Sequence, residues 1–207
     1  PKRKDLILLA WGLVVGVLVQ IVIGGIVVLT GLNPYANMAH FLVSLVLVAN
    51  AFILFRRSGG EPDTYFRSGP PRIVTAIRLV VGSSSLALVT GTVVTASGPH
   101  AGDEKAQRFG FDIRSVAILH ADAVILLMGL TIALLVAASV TRSTKKAIYI
   151  FFGISLAQGG VGYAQYLTGI PELLVAIHLA GATIFWIAAW RIRLSVVRTS
   201  QQERDQP

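Results

Sequence analysis

The sequence predicts an all-α polytopic membrane protein with six transmembrane helices: a complete C-terminal four-helix bundle plus a helix pair belonging to an N-terminal bundle. Three observations carry this. Of 207 residues, 54% are hydrophobic and only 14% are charged, against about 25% charged in a soluble domain. The apolar residues come in long blocks separated by short polar gaps, the pattern of helical spans. And the basic residues are gathered into those gaps unevenly.

The spans read as residues 6–32, 35–55, 73–97, 114–140, 146–168 and 171–190. The first, Leu6 to Leu32, contains no charged residue and is far longer than the apolar stretch of a signal peptide, so it is a true span. Fourteen lysines and arginines fall in the N-terminus, the C-terminal tail and the gaps after spans two and four, and three (Lys105, Arg108, Arg114) in the opposite set. That asymmetry predicts a multi-pass cell-membrane protein with both termini in the cytoplasm. Because the +8 net charge does topological work in these gaps, nucleic acid is excluded as a partner. Arg78, within the third span near its cytoplasmic end, is expected to snorkel.

Residues 20–40 and 158–178 repeat at a fixed offset of 138. Gln20, Gly24, Leu29, Thr30, Gly31 and His40 correspond to Gln158, Gly162, Leu167, Thr168, Gly169 and His178. Each copy is a hairpin with a histidine early in its second helix. The two hairpins lie four helices apart, so the repeat is parallel, about an axis along the membrane normal. The second hairpin is preceded by a helix pair carrying His120, whereas only Pro1 to Asp5 precede the first. A regular four-helix repeat therefore predicts two further helices upstream. The expected organisation is 1–56 as the second half of an N-terminal four-helix unit and 57–72 as a cytoplasmic linker. Residues 73–195 form the C-terminal four-helix unit and 196–207 a cytoplasmic tail.

His40, His120 and His178 follow Pro34, Arg114 and Pro171 by six, six and seven residues. At 1.5 Å per residue each lies about 10 Å inside the membrane from the same, outer side. An ionisable side chain at that depth needs a partner. The plain reading is a hydrogen bond to a neighbouring helix, with glycine serving close packing. Three histidines at one depth, two of them repeat-related, instead predict metal ligation, by haem iron. His120 and His178 stand on the second and fourth helices of one unit and can face each other across its core. Gly159, Gly160, Gly162 and Gly181 offer room for a porphyrin beside His178. His40 has no such partner in the sequence.

Other candidates carry less. His100, in a Gly/Pro-rich outer loop, reads as a loop residue near the site mouth. Gln20, Gln158, Thr30 and Thr168 read as interhelical hydrogen-bonding groups. Asp122 is two residues beyond His120 and so points from another helix face. Lys105, Arg108 and Arg114 could meet haem propionates or lipid headgroups equally well. Cysteine is absent, which removes thiolate haem ligation and a thiol redox pair for these residues. No H-E-x-x-H, phosphate loop, serine elbow or Asp-rich prenyltransferase motif occurs.

The segments Gly24 to Pro34 with His40, Gly91 to Asp103, Leu119-His120-Ala121-Asp122, and Gln158 to Gly169 with His178 resemble the haem A synthase family, in order and across essentially the whole chain. The resemblance implies two pseudo-twofold four-helix halves, with His120 and His178 ligating haem b in the C-terminal half. It places His40, as a catalytic and iron-binding residue, in the half where haem O is bound. There a porphyrin methyl is oxidised to the formyl of haem A by successive hydroxylations. Haem O synthase and cytochrome oxidase assembly factors are the implied protein partners. The family's first helix pair, with its histidine and acidic residue, has no counterpart here, so these 207 residues are expected to bind haem b without completing the oxidation.

Two other functions compete. A cytochrome b-type electron-transfer protein would usually place histidine pairs at both membrane faces, and here all three lie near one. A repeat-built transporter would show broken helices and polar groups near the midplane, and this chain has few.

Overall fold

The computed structural model describes residues 3–59, 66–67, 71–99, 105–137 and 140–198. It is all-helical apart from one two-residue strand pair. Six helices among the described residues are long and apolar enough to cross a membrane. They are α1 (Lys4–Leu29), α2 (Pro34–Ser58), α3 (Pro71–Ser97), α4 (Ile113–Ala137), α5 (Arg142–Leu167) and α6 (Glu172–Ser195). The helices start and stop within about four residues of the expected span ends, except at the end of α6, which runs five residues further. Both α2 and α6 extend into the basic gap, carrying Arg56, Arg57 and Arg193 into their last turns. Cations are favoured at a helix C-terminus, which explains the extension. Phe66–Arg67 (β1) pairs antiparallel with Val197–Arg198 (β2), tying the linker to the segment after α6.

Helices α3 to α6 close on themselves: α3 packs on α4 and α6, and α5 on α4 and α6. The α1–α2 hairpin is appended through α2 against α6 and α3. The Trp186 indole donates to the Leu45 carbonyl at 2.8 Å, a buried link between bundle and hairpin. Beyond its contact with α2, α1 is nearly bare, and Val27 is its one buried residue.

The bundle is built in two halves. Toward the chain termini it is densely packed, with Ile77, Val80, Leu127, Ile148, Phe151 and Ile192 at no more than 1% exposure. In lipid such packing is held by van der Waals contact rather than by water exclusion. Buried hydroxyls are tolerated there because each bonds a backbone carbonyl: Thr144 reaches that of Ser195 on α6 at 3.1 Å, and others bond their own helix. Ser84 donates to the Val80 carbonyl, Thr131 to Leu127 and Ser155 to Phe151, all at 2.8 Å. Toward the opposite side the bundle is hollow.

The repeat is visible in the backbone. After α1, Gly31 and Leu32 are left-handed (φ 62° and 61°); after α5, Gly169 and Ile170 are left-handed too (φ 82° and 61°). In both turns the amide of the second residue closes the helix end, Leu32 on the Val27 carbonyl and Ile170 on Gln165, each at 2.8 Å. Thr30 and Thr168 each return their hydroxyl to the carbonyl four residues back, at 2.6 and 2.7 Å. These threonines therefore seal helix ends rather than bridge helices, correcting the interhelical role expected of them. A left-handed β-branched residue such as Ile170 is costly, and its recurrence opposite Leu32 marks a turn specified by the whole hairpin.

Candidate functional site

All three intramembrane histidines enter the bundle from the same end. His40 is six residues into α2, His120 seven into α4 and His178 six into α6. Their hairpin partners bring a glycine to the same depth. A β-carbon placed on Gly24 would stand 3.3 Å from His40 Cε1, on Gly91 3.1 Å from His120 Cε1, and on Gly162 3.3 Å from His178 Cε1. Each imidazole is thus laid against helix backbone that only glycine leaves bare. One rule governs three hairpins.

Two of the three rings meet. The centres of His120 and His178 are 6.4 Å apart and the ring planes are 89° to one another. Both line a cavity of 460 Å³ in the hollow half of the bundle, within the usual 300–1,000 Å³ of ligand pockets. Gly91, Gly159 and Gly162 form part of its wall, and a β-carbon on Gly159 would project into open space. Gly160 and Gly181, expected beside the porphyrin, are not in that wall. The Gly181 surface is taken by the Gln158 side chain, which lies directly on it. Arg114 stands at the cavity and Phe41 of α2 reaches its wall, so the appended hairpin closes part of one side. Lys105 and Arg108 do not line it; Arg108 donates to the carbonyls of Pro99 and Ala106 at 2.8 and 3.1 Å.

The hydrogen bonding of the two rings differs. His120 Nδ1 lies 3.1 Å from Thr90 Oγ1. That hydroxyl already donates its proton to the carbonyls of Leu86 and Ala87, both at 3.0 Å. With its proton directed to those carbonyls the hydroxyl accepts from a protonated Nδ1, an arrangement that leaves Nε2 with a free lone pair. His178 Nδ1 is buried with no hydrogen-bond partner among the described residues. Gln158 Oε1 and Gln165 Oε1, on residues lining the same cavity, are likewise buried and unpartnered.

His40 stands apart. It is half-buried against Gly24, with Nδ1 unpartnered, and it does not line the cavity. No other histidine faces it among the described residues. Gln20 holds the local backbone, donating to the His40 carbonyl at 3.0 Å and to the Ser44 hydroxyl. Its counterpart Gln158 packs on Gly181 instead, so the interhelical role expected of both glutamines holds as a hydrogen bond only for Gln20. Asp122 is exposed. His100 lies outside the described residues.

Sequence reasoning missed Thr90 and the part played by Gly24 and Gly91. The available signal was depth: Gly24 and Gly162 lie five residues, and Gly91 six, before the ends of α1, α5 and α3, level with the histidines.

The residues present fit a planar metal macrocycle. Two metal–nitrogen bonds of about 2 Å, with about 1.1 Å from nitrogen to ring centre, put two axial imidazole centres about 6.2 Å apart. The observed separation is 6.4 Å. Glycine walls leave room for the remainder of such a group. No group of three or more metal-ligating side chains occurs among the described residues, and a porphyrin needs only two from the protein. No family model matches the chain, and neither does a curated protein or a solved structure.

Proposed function

We propose that this chain is a haem A synthase-type membrane oxidoreductase whose C-terminal bundle holds a haem b between His120 and His178. The observation that supports it best is the pair of imidazoles, at axial spacing and lining one cavity. When bound, the haem supplies a one-electron acceptor. The protein's own residues do the rest. Thr90 fixes the His120 tautomer so that Nε2 can coordinate. Gly91 and Gly162 let both rings lie against backbone, and Gly159 leaves the wall flat. Arg114 at the cavity would pair with a propionate. The apolar lining keeps water from the metal.

In this reading both termini are cytoplasmic and the haem lies toward the outer face. His40 belongs to the half in which haem O is bound and its methyl group oxidised to a formyl. Its repeat equivalence to His178 and the shared glycine contact support that assignment.

A second reading, a cytochrome b-type electron-transfer protein without oxidation chemistry of its own, is favoured by one observation. His40 faces no second histidine among the described residues, so one bis-histidine site is assembled rather than two.

The test is to purify the chain in detergent or nanodiscs and load it with haem b. A low-spin reduced-minus-oxidised spectrum that both His120→Ala and His178→Ala abolish supports haem ligation at this pair; a spectrum unchanged in both rejects it. Supplying haem O to the chain extended by an upstream helix pair, and analysing extracted porphyrins by mass, then separates the two readings. Haem A supports the oxidase, and haem O recovered unchanged favours electron transfer.

A further inference from the structure

The two histidines that frame the cavity are anchored unequally. His120 is held from behind: its Nδ1 meets the Thr90 hydroxyl at 3.1 Å, and that hydroxyl is itself fixed by two carbonyls of α3. Thr90 is buried at 7% exposure, so water does not compete for the contact. The His178 ring has only van der Waals contact with Gly162 on that side, its Nδ1 unpartnered. The repeat explains the difference. The residue before the ring-facing glycine is Thr90 in α3, Val161 in α5 and Ile23 in α1. Only α3 carries a hydroxyl at that place.

A hydrogen bond from Nδ1–H raises the basicity of Nε2 and holds the ring to one orientation, the usual role of an outer partner to a metal-bound histidine. A ring without one turns more freely and is the weaker donor. Resting on the haem reading above, we infer that Thr90 is a positioning residue that makes His120 the permanent axial ligand and leaves His178 as the one that yields to an incoming small ligand. In that exchange the iron–His178 bond breaks and a neutral donor bonds in its place, carbon monoxide on haem already reduced or imidazole on ferric haem. No electron is transferred.

The inference is tested on the haem-loaded full chain by haem content and spin state, neither of which depends on turnover. His178→Ala is expected to keep its haem as a five-coordinate, high-spin species on His120. His120→Ala is expected to retain about tenfold less. Thr90→Val keeps the shape of the side chain and removes the acceptor. Combined with His178→Ala it should lower haem retention several-fold, and Thr90→Ser in the same background should restore it. In the otherwise unaltered chain, Thr90→Val should also raise the midpoint potential, since a less basic ligand stabilises ferric iron less. Helical content by circular dichroism checks that each variant is folded. Equal haem retention by His120→Ala and His178→Ala, or no effect of Thr90→Val on either readout, overturns the inference while leaving bis-histidine ligation intact. Failure of the unaltered chain to bind haem at all overturns the haem reading itself, and this inference with it.

Discussion

Hairpins α1–α2 and α5–α6 are built alike and end differently. They share the Gln, Gly, Thr, Gly and His positions at an offset of 138, the same left-handed turn, and the same glycine-to-imidazole contact at 3.3 Å. Around α5–α6, the pair α3–α4 completes a bundle and sets His120 opposite His178 across a cavity. Around α1–α2 no such pair stands among the described residues, and His40 faces no second histidine. The hairpin therefore specifies where a histidine sits and how its ring lies. It does not specify a site. A site needs two hairpins, each bringing a glycine and a histidine to one depth.

The largest effect that would break this comparison is loss of the haem spectrum. His120→Ala and His178→Ala should each abolish the low-spin signal, while His40→Ala should leave it intact. Membrane insertion should be unchanged in all three, since one substitution barely alters span hydrophobicity. An equal loss in His40→Ala would mean the hairpins share one function.

The glycines give the next largest effect. A β-carbon at Gly91 or Gly162 would crowd the ring at 3.1 or 3.3 Å, closer than relaxed contact. Overpacking of this kind costs about 1–3 kcal/mol, so Gly91→Ala and Gly162→Ala should weaken haem binding roughly tenfold and rotate the axial rings. Perpendicular imidazoles, as found here at 89°, give a ferric electron paramagnetic resonance signal with an unusually large maximum g-value. Ring rotation should shift it toward the ordinary low-spin range. Gly24→Ala makes the same contact at His40 and should change neither readout.

How much of this could be read from the sequence follows from what each feature depends on. Span number and the common depth of the histidines are properties of one helix at a time, and hydropathy with 1.5 Å per residue suffices to place them. The repeat turns were legible as matched Thr-Gly pairs, although the threonines turn inward to their own helices, a choice local geometry makes. The Thr90 contact was not legible. It depends on how α3 is rotated against α4, and that rotation is set by packing of the whole bundle. The same limit explains why Gly181 was expected beside the porphyrin and instead receives Gln158.

A smaller effect would sharpen the contrast by loosening the appended hairpin alone. Trp186→Phe removes the indole bond to the Leu45 carbonyl, a buried interaction contributing about 1 kcal/mol. Thermal unfolding should begin earlier, with the haem spectrum at unaltered temperature unchanged. A spectrum that changes with the hairpin contact would show that α2, through Phe41, shapes the site.

The smallest expected effect concerns how α2 and α4 begin. Asn33 caps α2, accepting from the Tyr35 amide at 3.0 Å and the Ala36 amide at 3.4 Å. Asp112 does the same for α4, accepting from the Ser115 hydroxyl at 2.8 Å and the Ser115 amide at 2.9 Å. Those two bonds, the hydroxyl first, hold the Asp112 carboxyl below its ordinary range. Its contribution to stability is therefore complete above the unfolded carboxylate range and fades as pH falls through the lowered value. Denaturation measured from pH 7 to pH 3 should show a slight acid loss that Asp112→Asn removes. Asn33→Ala should weaken the fold by the same amount at every pH.

The most direct test of the account is haem stoichiometry in the purified 207-residue chain and its three histidine variants. The account predicts one low-spin haem b per chain, retained by His40→Ala and lost as a low-spin species in His120→Ala and His178→Ala. Absence of bound haem, or a low-spin haem that survives both His120→Ala and His178→Ala, would contradict it.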